Sequence, residues 1–286
     1  MENQVTVKNS NKAFFFYAIT LALAVIVRLA VPFIGDASLP VTMLTPTIAT
    51  AIMLIFVARE GGFRKVLNLL GIDRAGLKGW PLAIAAPTAI HLVGFVFLAV
   101  TGLAIFAAPS MSGSMGSAIL DVLAGLVIGT LLALGEEIGW RGYILPRLLG
   151  FGVVPAMLIV GLLHGIWHLP IMLTTDYYHS TGNPLIVVPL FLITLSLVGI
   201  FYGFLRIWTG SVWPVAIAHA AANMAWEMMN RITQTKSPLV LEYIGGESGL
   251  IVIGGLLIVC FILLKYMKSD AFMGKIEAVK PAFSVL

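Results

Sequence analysis

At 286 residues, with 59% hydrophobic and 10% charged side chains, the chain is far too apolar for a soluble domain, whose composition is usually about half apolar. Its mean hydropathy of +1.02 points the same way, to an integral membrane protein. The net charge of +4 does not call for nucleic acid, and a single cysteine, Cys260, leaves no intrachain disulfide to form.

Taken in chain order, apolar runs of roughly 20 residues, enough to cross about 30 Å of hydrocarbon, fall near 13–34, 39–58, 80–108, 117–135, 152–173, 184–206, 212–230 and 249–267. The expected fold is therefore all-α, a polytopic bundle of about eight transmembrane helices. The first run leads into VPFIGDASLP without a convincing cleavage site and reads as an uncleaved anchor. Between the second and third runs, Phe63, Val66, Leu67, Leu69 and Leu70 stand among basic residues, the pattern of a short amphipathic helix on the membrane surface. Residues 138–149 predict a further apolar helix carrying Arg141 and Arg147, ended by Gly150 and Gly152.

Basic residues test the count, because an added or lost span would swap the side of every later loop. With the N-terminus inside, 14 of the 17 basic residues are cytoplasmic, from Lys8 and Arg59 to Lys280, and only Arg231 and Lys236 are external. Arg28 lies within the first span. Both termini are thus expected inside, with Lys78 cytoplasmic and Asp176 external. Residues 1–12 and 268–286 are expected as tails around a membrane domain at 13–267, whose motifs occupy 117–230.

Ionisable groups within spans are costly and mark a functional interior or an ion pair. They are Arg28, His91, Asp121, Glu136, Glu137, Arg141, His164, His168, His219 and Glu227, with Asn223 as a polar companion. In GEEIGWRGY, Glu137 precedes Arg141 by one helical turn, in the favourable order for an ion pair, which leaves Glu136 to face the interior. An interfacial salt bridge would explain this motif alone equally well. In VGLLHGIWHLP, His164 and His168 share a face, but Gly165 stands where a zincin helix needs its glutamate, and Gly161 with Gly165 suits close helix packing. In SVWPVAIAHAAANMAWE, His219 and Asn223 share a face among small alanines, so they can donate to an oxyanion or simply bond a neighbouring helix. Together these groups are the inventory for activating water, whereas no GxSxG elbow supports a serine nucleophile.

In these motifs the chain resembles the CPBP intramembrane proteases, also called the Abi or CAAX prenyl protease type II family, to which the Ras-converting endopeptidases belong. The EExxxR motif is matched by Glu136, Glu137 and Arg141, the second motif at its histidine by His168, and HxxxN by His219 and Asn223. The resemblance implies an intramembrane endopeptidase acting near the cytoplasmic leaflet on a membrane-embedded or membrane-associated peptide. Glu136 and His168 would activate water, His219 and Asn223 would form the oxyanion site, and Glu137 with Arg141 would hold the first motif in place. His164, where the family often has phenylalanine, is a departure, and His164→Phe is expected to keep most activity.

No cofactor is required on this reading. Zinc is the alternative, with His168, His219 and Glu136 as its ligands and His164 in reserve. The expected location is the plasma membrane of a bacterial cell, in peptide processing or bacteriocin immunity, with the lipid bilayer and a peptide as partners. The competing class is a proton-coupled transporter relaying through Asp121, Glu136 and Glu227, against which stands the lack of paired broken halves.

Overall fold

Each of the eight apolar runs carries a long helix. A computed structural model describes residues 2–35, 38–58, 62–106, 115–175 and 181–276. In chain order the helices are α1 (Glu2–Ile34), α2 (Ser38–Ile52), α3 (Phe63–Leu70), α4 (Trp80–Val100), α5 (Met115–Glu137), α6 (Leu145–Leu148), α7 (Val153–Thr174), α8 (Pro184–Thr209), α9 (Trp213–Ile232), α10 (Pro238–Val240) and α11 (Leu250–Met267). A two-stranded antiparallel ribbon, β1 (Ala104–Phe106) and β2 (Thr233–Thr235), ties the end of α4 to the end of α9, with Ala104 opposite Thr235. Arg59, Asp176 and Lys280 lie outside the described residues.

Among the described residues, seven helical segments are long and apolar enough to cross a membrane. The eighth long helix, α9, has the length at 20 residues but not the apolarity, because it carries His219, Asn223, Glu227, Asn230 and Arg231. It is lodged between α4, α5 and α8, which bury His219 and the alanines around it, while Asn223, Glu227, Asn230 and Arg231 stay exposed. Side chains such as Leu29, Phe56, Val100 and Phe261 point outward along the other helices, as suits contact with lipid tails. Because lipid is as apolar as leucine, the helices are held together by close packing and polar contacts rather than by expulsion from water.

That packing is tightest where α7 meets α8. A Cβ on Gly161 would stand 2.3 Å from the carbonyl oxygen of Leu195, and one on Gly199 would stand 2.4 Å from that of Met157. The expected small-residue contact is real, and it brings the helix carrying His164 and His168 against α8. Asn183 caps the start of α8 by accepting from the Leu185 amide at 2.9 Å, and Gly210, at φ 74°, ends it in the left-handed region. Only Gly210, Ser211 and Val212 separate α8 from α9, so the two are forced into neighbouring positions.

The surface helix expected after α2 is α3. Leu69 and Leu70 are buried, Phe63 is exposed, and Arg206 at the end of α8 donates to the Leu69 carbonyl at 2.8 Å. At the N-terminus α1 begins at Glu2, so the residues expected as a tail continue the first helix, with Asn9 and Lys12 buried. At the other end, residues 270–276 are helical and Phe272 is fully buried, its ring stacked on Phe204 at 5.4 Å. The packed bundle therefore runs to residue 276.

Candidate active site

The EExxxR motif sits where α5 gives way to a π-helical turn, Ile138–Ile144. Three glycines make this possible by letting neighbours approach. A Cβ on Gly135 would stand 2.9 Å from the Met43 carbonyl oxygen, and one on Gly139 would stand 2.5 Å from the Pro46 Cβ. Leu70 lies as close to Gly142, whose added Cβ would be 3.1 Å from its carbonyl oxygen. The Thr47 hydroxyl also donates to the Gly135 carbonyl at 2.7 Å, so α2 clasps the glutamate segment. π-helical turns are rare and occur frequently at functional sites.

Glu137 and Arg141 form the expected ion pair, one guanidinium nitrogen lying 3.1 and 3.0 Å from the two carboxylate oxygens, and both side chains are fully buried. The same guanidinium lies 4.9 Å from the Tyr202 ring on α8. Glu137 also accepts from His219 Nδ1 at 3.0 Å. Glu136 is free of that ion pair, as its place in the sequence implied, and pairs instead with His164, Nε2 to Oε2 at 2.8 Å.

The donors fix the ring tautomers. Arg141 can only donate, so at 3.3 Å it makes His164 Nδ1 an acceptor, and His164 Nε2 carries the proton given to Glu136. His168 Nδ1 lies 3.0 Å from the His164 carbonyl oxygen and must donate to it, which puts that ring's lone pair on Nε2. His219 donates from Nδ1 to Glu137, so donation into the cavity from its Nε2 requires the imidazolium form. Trp140 stacks on His164 at 5.1 Å and crosses Phe16 and Trp167 edge-on, each at 5.9 Å, an aromatic brace that holds the His164 ring in one plane.

These side chains open onto a cavity of about 160 Å³ lined by Glu136, His164, His168, His219 and Asn223. Tyr202, His91 and Glu247 line it as well. Glu137 and Arg141 stand behind this wall. Asn223 is the most exposed of the expected site residues, one helical turn beyond His219. Asp121 is exposed on α5, and Glu227 forms an exposed pair with Arg231, so neither joins the cluster. Arg28 lies elsewhere and donates to both oxygens of Thr174.

Sequence reasoning undervalued His164, which takes the central position. Its i,i+4 spacing from His168 was the visible signal. Tyr202, Trp140 and Glu247 were missed, Glu247 because it falls just before the last apolar run, 249–267, and so is not a charge within a span.

The potential ligand atoms of Glu136, His164 and His168 all lie within 4.8 Å of one another. Two imidazoles and a carboxylate are a known donor set for catalytic zinc, so these residues fit the ion. The cluster groups His164 with Glu136 and His168, where the sequence reading named His219; the bond from His219 Nδ1 to Glu137 leaves its Nε2 free to ligate, as in a carboxylate–histidine–metal pair.

Residues 118–225 match the family model described as type II CAAX prenyl endopeptidase Rce1-like. The match takes in every residue of the cluster, from Glu136 to Asn223. It identifies the segment with endopeptidases, enzymes that hydrolyse peptide bonds. No curated protein matches the chain.

Proposed function

We propose that this chain, Rce1-like over the segment that carries its site, cleaves a peptide within the membrane with water activated by Glu136. The observation that supports this best is the 2.8 Å contact between Glu136 and His164 at the cavity wall, with the His168 lone pair beside it. Water approaching that wall gives a proton to Glu136, is oriented by His168 Nε2, and adds its oxygen to the peptide carbonyl carbon. Negative charge collects on the carbonyl oxygen, which Asn223 and, in its imidazolium form, His219 receive. Collapse breaks the C–N bond, and the proton held by Glu136 passes to the leaving amine. Glu137 and Arg141 touch no reacting atom; they orient His219 and His164.

The cluster of Glu136, His164 and His168 supports a second reading, in which these three hold zinc. The ion would supply Lewis acidity and a more acidic bound water. The two readings separate in one experiment on the purified chain in lipid. On the metal-free reading, cleavage survives a membrane-permeant chelator. Activity that disappears with the chelator and returns with one equivalent of zinc per chain establishes the zinc reading.

The transporter alternative loses its relay, since Asp121 and Glu227 are exposed and apart from Glu136. With both termini inside, α5 delivers Glu136 toward the cytoplasmic leaflet, and a reporter fused after Lys78 reads as cytoplasmic. An external reading there overturns the orientation. The setting is peptide processing or bacteriocin immunity in the plasma membrane of a bacterium, and membrane peptides that accumulate in cells carrying Glu136→Gln are the substrates.

A further inference from the structure

Gly199 and Gly203 let α8 press against α7, since an added Cβ at either would stand 2.4 Å from an atom of Met157. Tyr202, next to Gly203, reaches the interior where α8 meets α9 and the turn that carries Arg141. Its ring lies 4.9 Å from the Arg141 guanidinium and 5.9 Å from the His219 ring, tilted by 31° to it. Tyr202 is 4% exposed and lines the cavity together with Glu136, His219 and Asn223. Its hydroxyl makes no hydrogen bond among the described residues and, unlike that of Tyr17, is not walled in, so the space it opens onto is the cavity. A phenyl ring would serve the contact with Arg141 as well, because the face a cation meets is the same. The hydroxyl is costly in a bundle interior unless something bonds it, so its partner is whatever fills the cavity.

We infer that Tyr202 is a further catalytic residue, which donates its hydroxyl proton in a hydrogen bond to the carbonyl oxygen of the bond under attack, beside Asn223 and His219. The inference rests on the endopeptidase reading and completes its oxyanion site. The bonding of His219 is what calls for another donor. Its Nδ1 donates to Glu137, so a neutral His219 presents only a lone pair at Nε2, which repels an oxyanion. A phenol donates while neutral, and with the Asn223 amide it leaves the oxygen two donors when His219 is uncharged. The contact with Arg141 holds the ring in place before charge develops, the condition under which such donors are most effective. The groups then divide by helix: α5 and α7 carry the partners of the attacking water, and α8 and α9 carry the donors to the carbonyl oxygen. No covalent bond to Tyr202 forms or breaks. The proton stays on its oxygen, and the hydrogen bond strengthens as negative charge collects on the carbonyl oxygen.

Tyr202→Phe tests the donor, because it removes one oxygen and keeps the ring against Arg141. The substrate is a peptide that accumulates in cells carrying Glu136→Gln, cleaved by full-length purified chains in phosphatidylcholine nanodiscs. Tyr202→Phe should lower kcat about 10²-fold, the effect of losing one oxyanion donor, and leave KM unchanged. A phosphinate analogue of the peptide, whose tetrahedral anionic oxygen stands for the oxyanion, should bind the variant more weakly by a comparable factor. The uncleaved peptide should bind Glu136→Gln protein equally well with and without Tyr202→Phe. Tyr202→Leu, which also loses the ring, should lower the thermal midpoint as well as kcat, whereas Tyr202→Phe should keep the native midpoint. A kcat within about threefold of native in Tyr202→Phe, or a loss confined to KM, overturns the inference. So does equal weakening of peptide and phosphinate together with a lowered midpoint in Tyr202→Phe, which would assign the hydroxyl to packing. If the native chain cleaves none of the accumulated peptides, the endopeptidase reading falls and this inference with it; cleavage indifferent to Tyr202→Phe removes the inference alone.

Discussion

Glu136→Gln is expected to abolish proteolysis while leaving the chain folded. The substitution keeps the shape of a side chain that is 2% exposed and keeps an oxygen to accept from His164, but it removes the carboxylate proposed as the base that takes the proton from water. Loss of a positioned acid–base group costs on the order of 10²–10⁴ in rate. His168→Ala, His219→Ala and Asn223→Ala should each lose on the order of 10² or more, from the same reaction steps. The measurement is cleavage by purified variants in lipid, with the thermal midpoint as a control for folding. Cleavage by folded Glu136→Gln at more than about a tenth of the native rate would overturn the assignment of the base. His164→Phe should now also fall well below native activity, contrary to the expectation from sequence, because the phenyl ring keeps the stack on Trp140 but releases Glu136.

Arg141→Ala is expected to destabilise the fold itself. Arg141 and Glu137 are both fully buried, and removing the cation strands a carboxylate in the bundle interior with only His219 beside it. Breaking one partner of a buried pair costs about 3–5 kcal/mol, a large fraction of the stability of an ordinary protein. The double variant Glu137→Gln with Arg141→Met removes both charges and should recover much of the loss, since no buried charge is left unpaired. Thermal unfolding of the three proteins in one detergent decides the matter. A double variant no more stable than Arg141→Ala would show that shape rather than charge is what Arg141 supplies.

The difference between those two sites explains what could be read in advance. Glu137 and Arg141 are neighbours on one helix, so their spacing of four predicts their contact whatever the rest of the chain does. Seven of the long helices were equally legible, because hydrocarbon thickness sets a length that apolar runs either reach or do not, whereas the polar side chains of α9 keep it below that measure. The contact of His164 with Glu136 depends on how α7 is placed against α5, which follows from glycine contacts with α2 and α8 that no periodicity reports. The π-helical turn after Glu137 was missed because reading at 3.6 residues per turn assumes an unbroken helix. Asp121 and Glu227 were read as buried for a related reason: a hydropathy window does not show which face of a helix meets solvent.

The size of the cavity bears on the supply of one reactant. At roughly 30 Å³ per molecule in the liquid, 160 Å³ accommodates about five waters. A peptide that brings its carbonyl to Glu136 must displace most of them. On the proposed mechanism the nucleophile is therefore counted in single molecules rather than in molar concentration, and the one that attacks would be a resident retained at Glu136 and His168 when the peptide arrives. Solvent behaves here as a stoichiometric cosubstrate, with an order of arrival and a chance of being squeezed out.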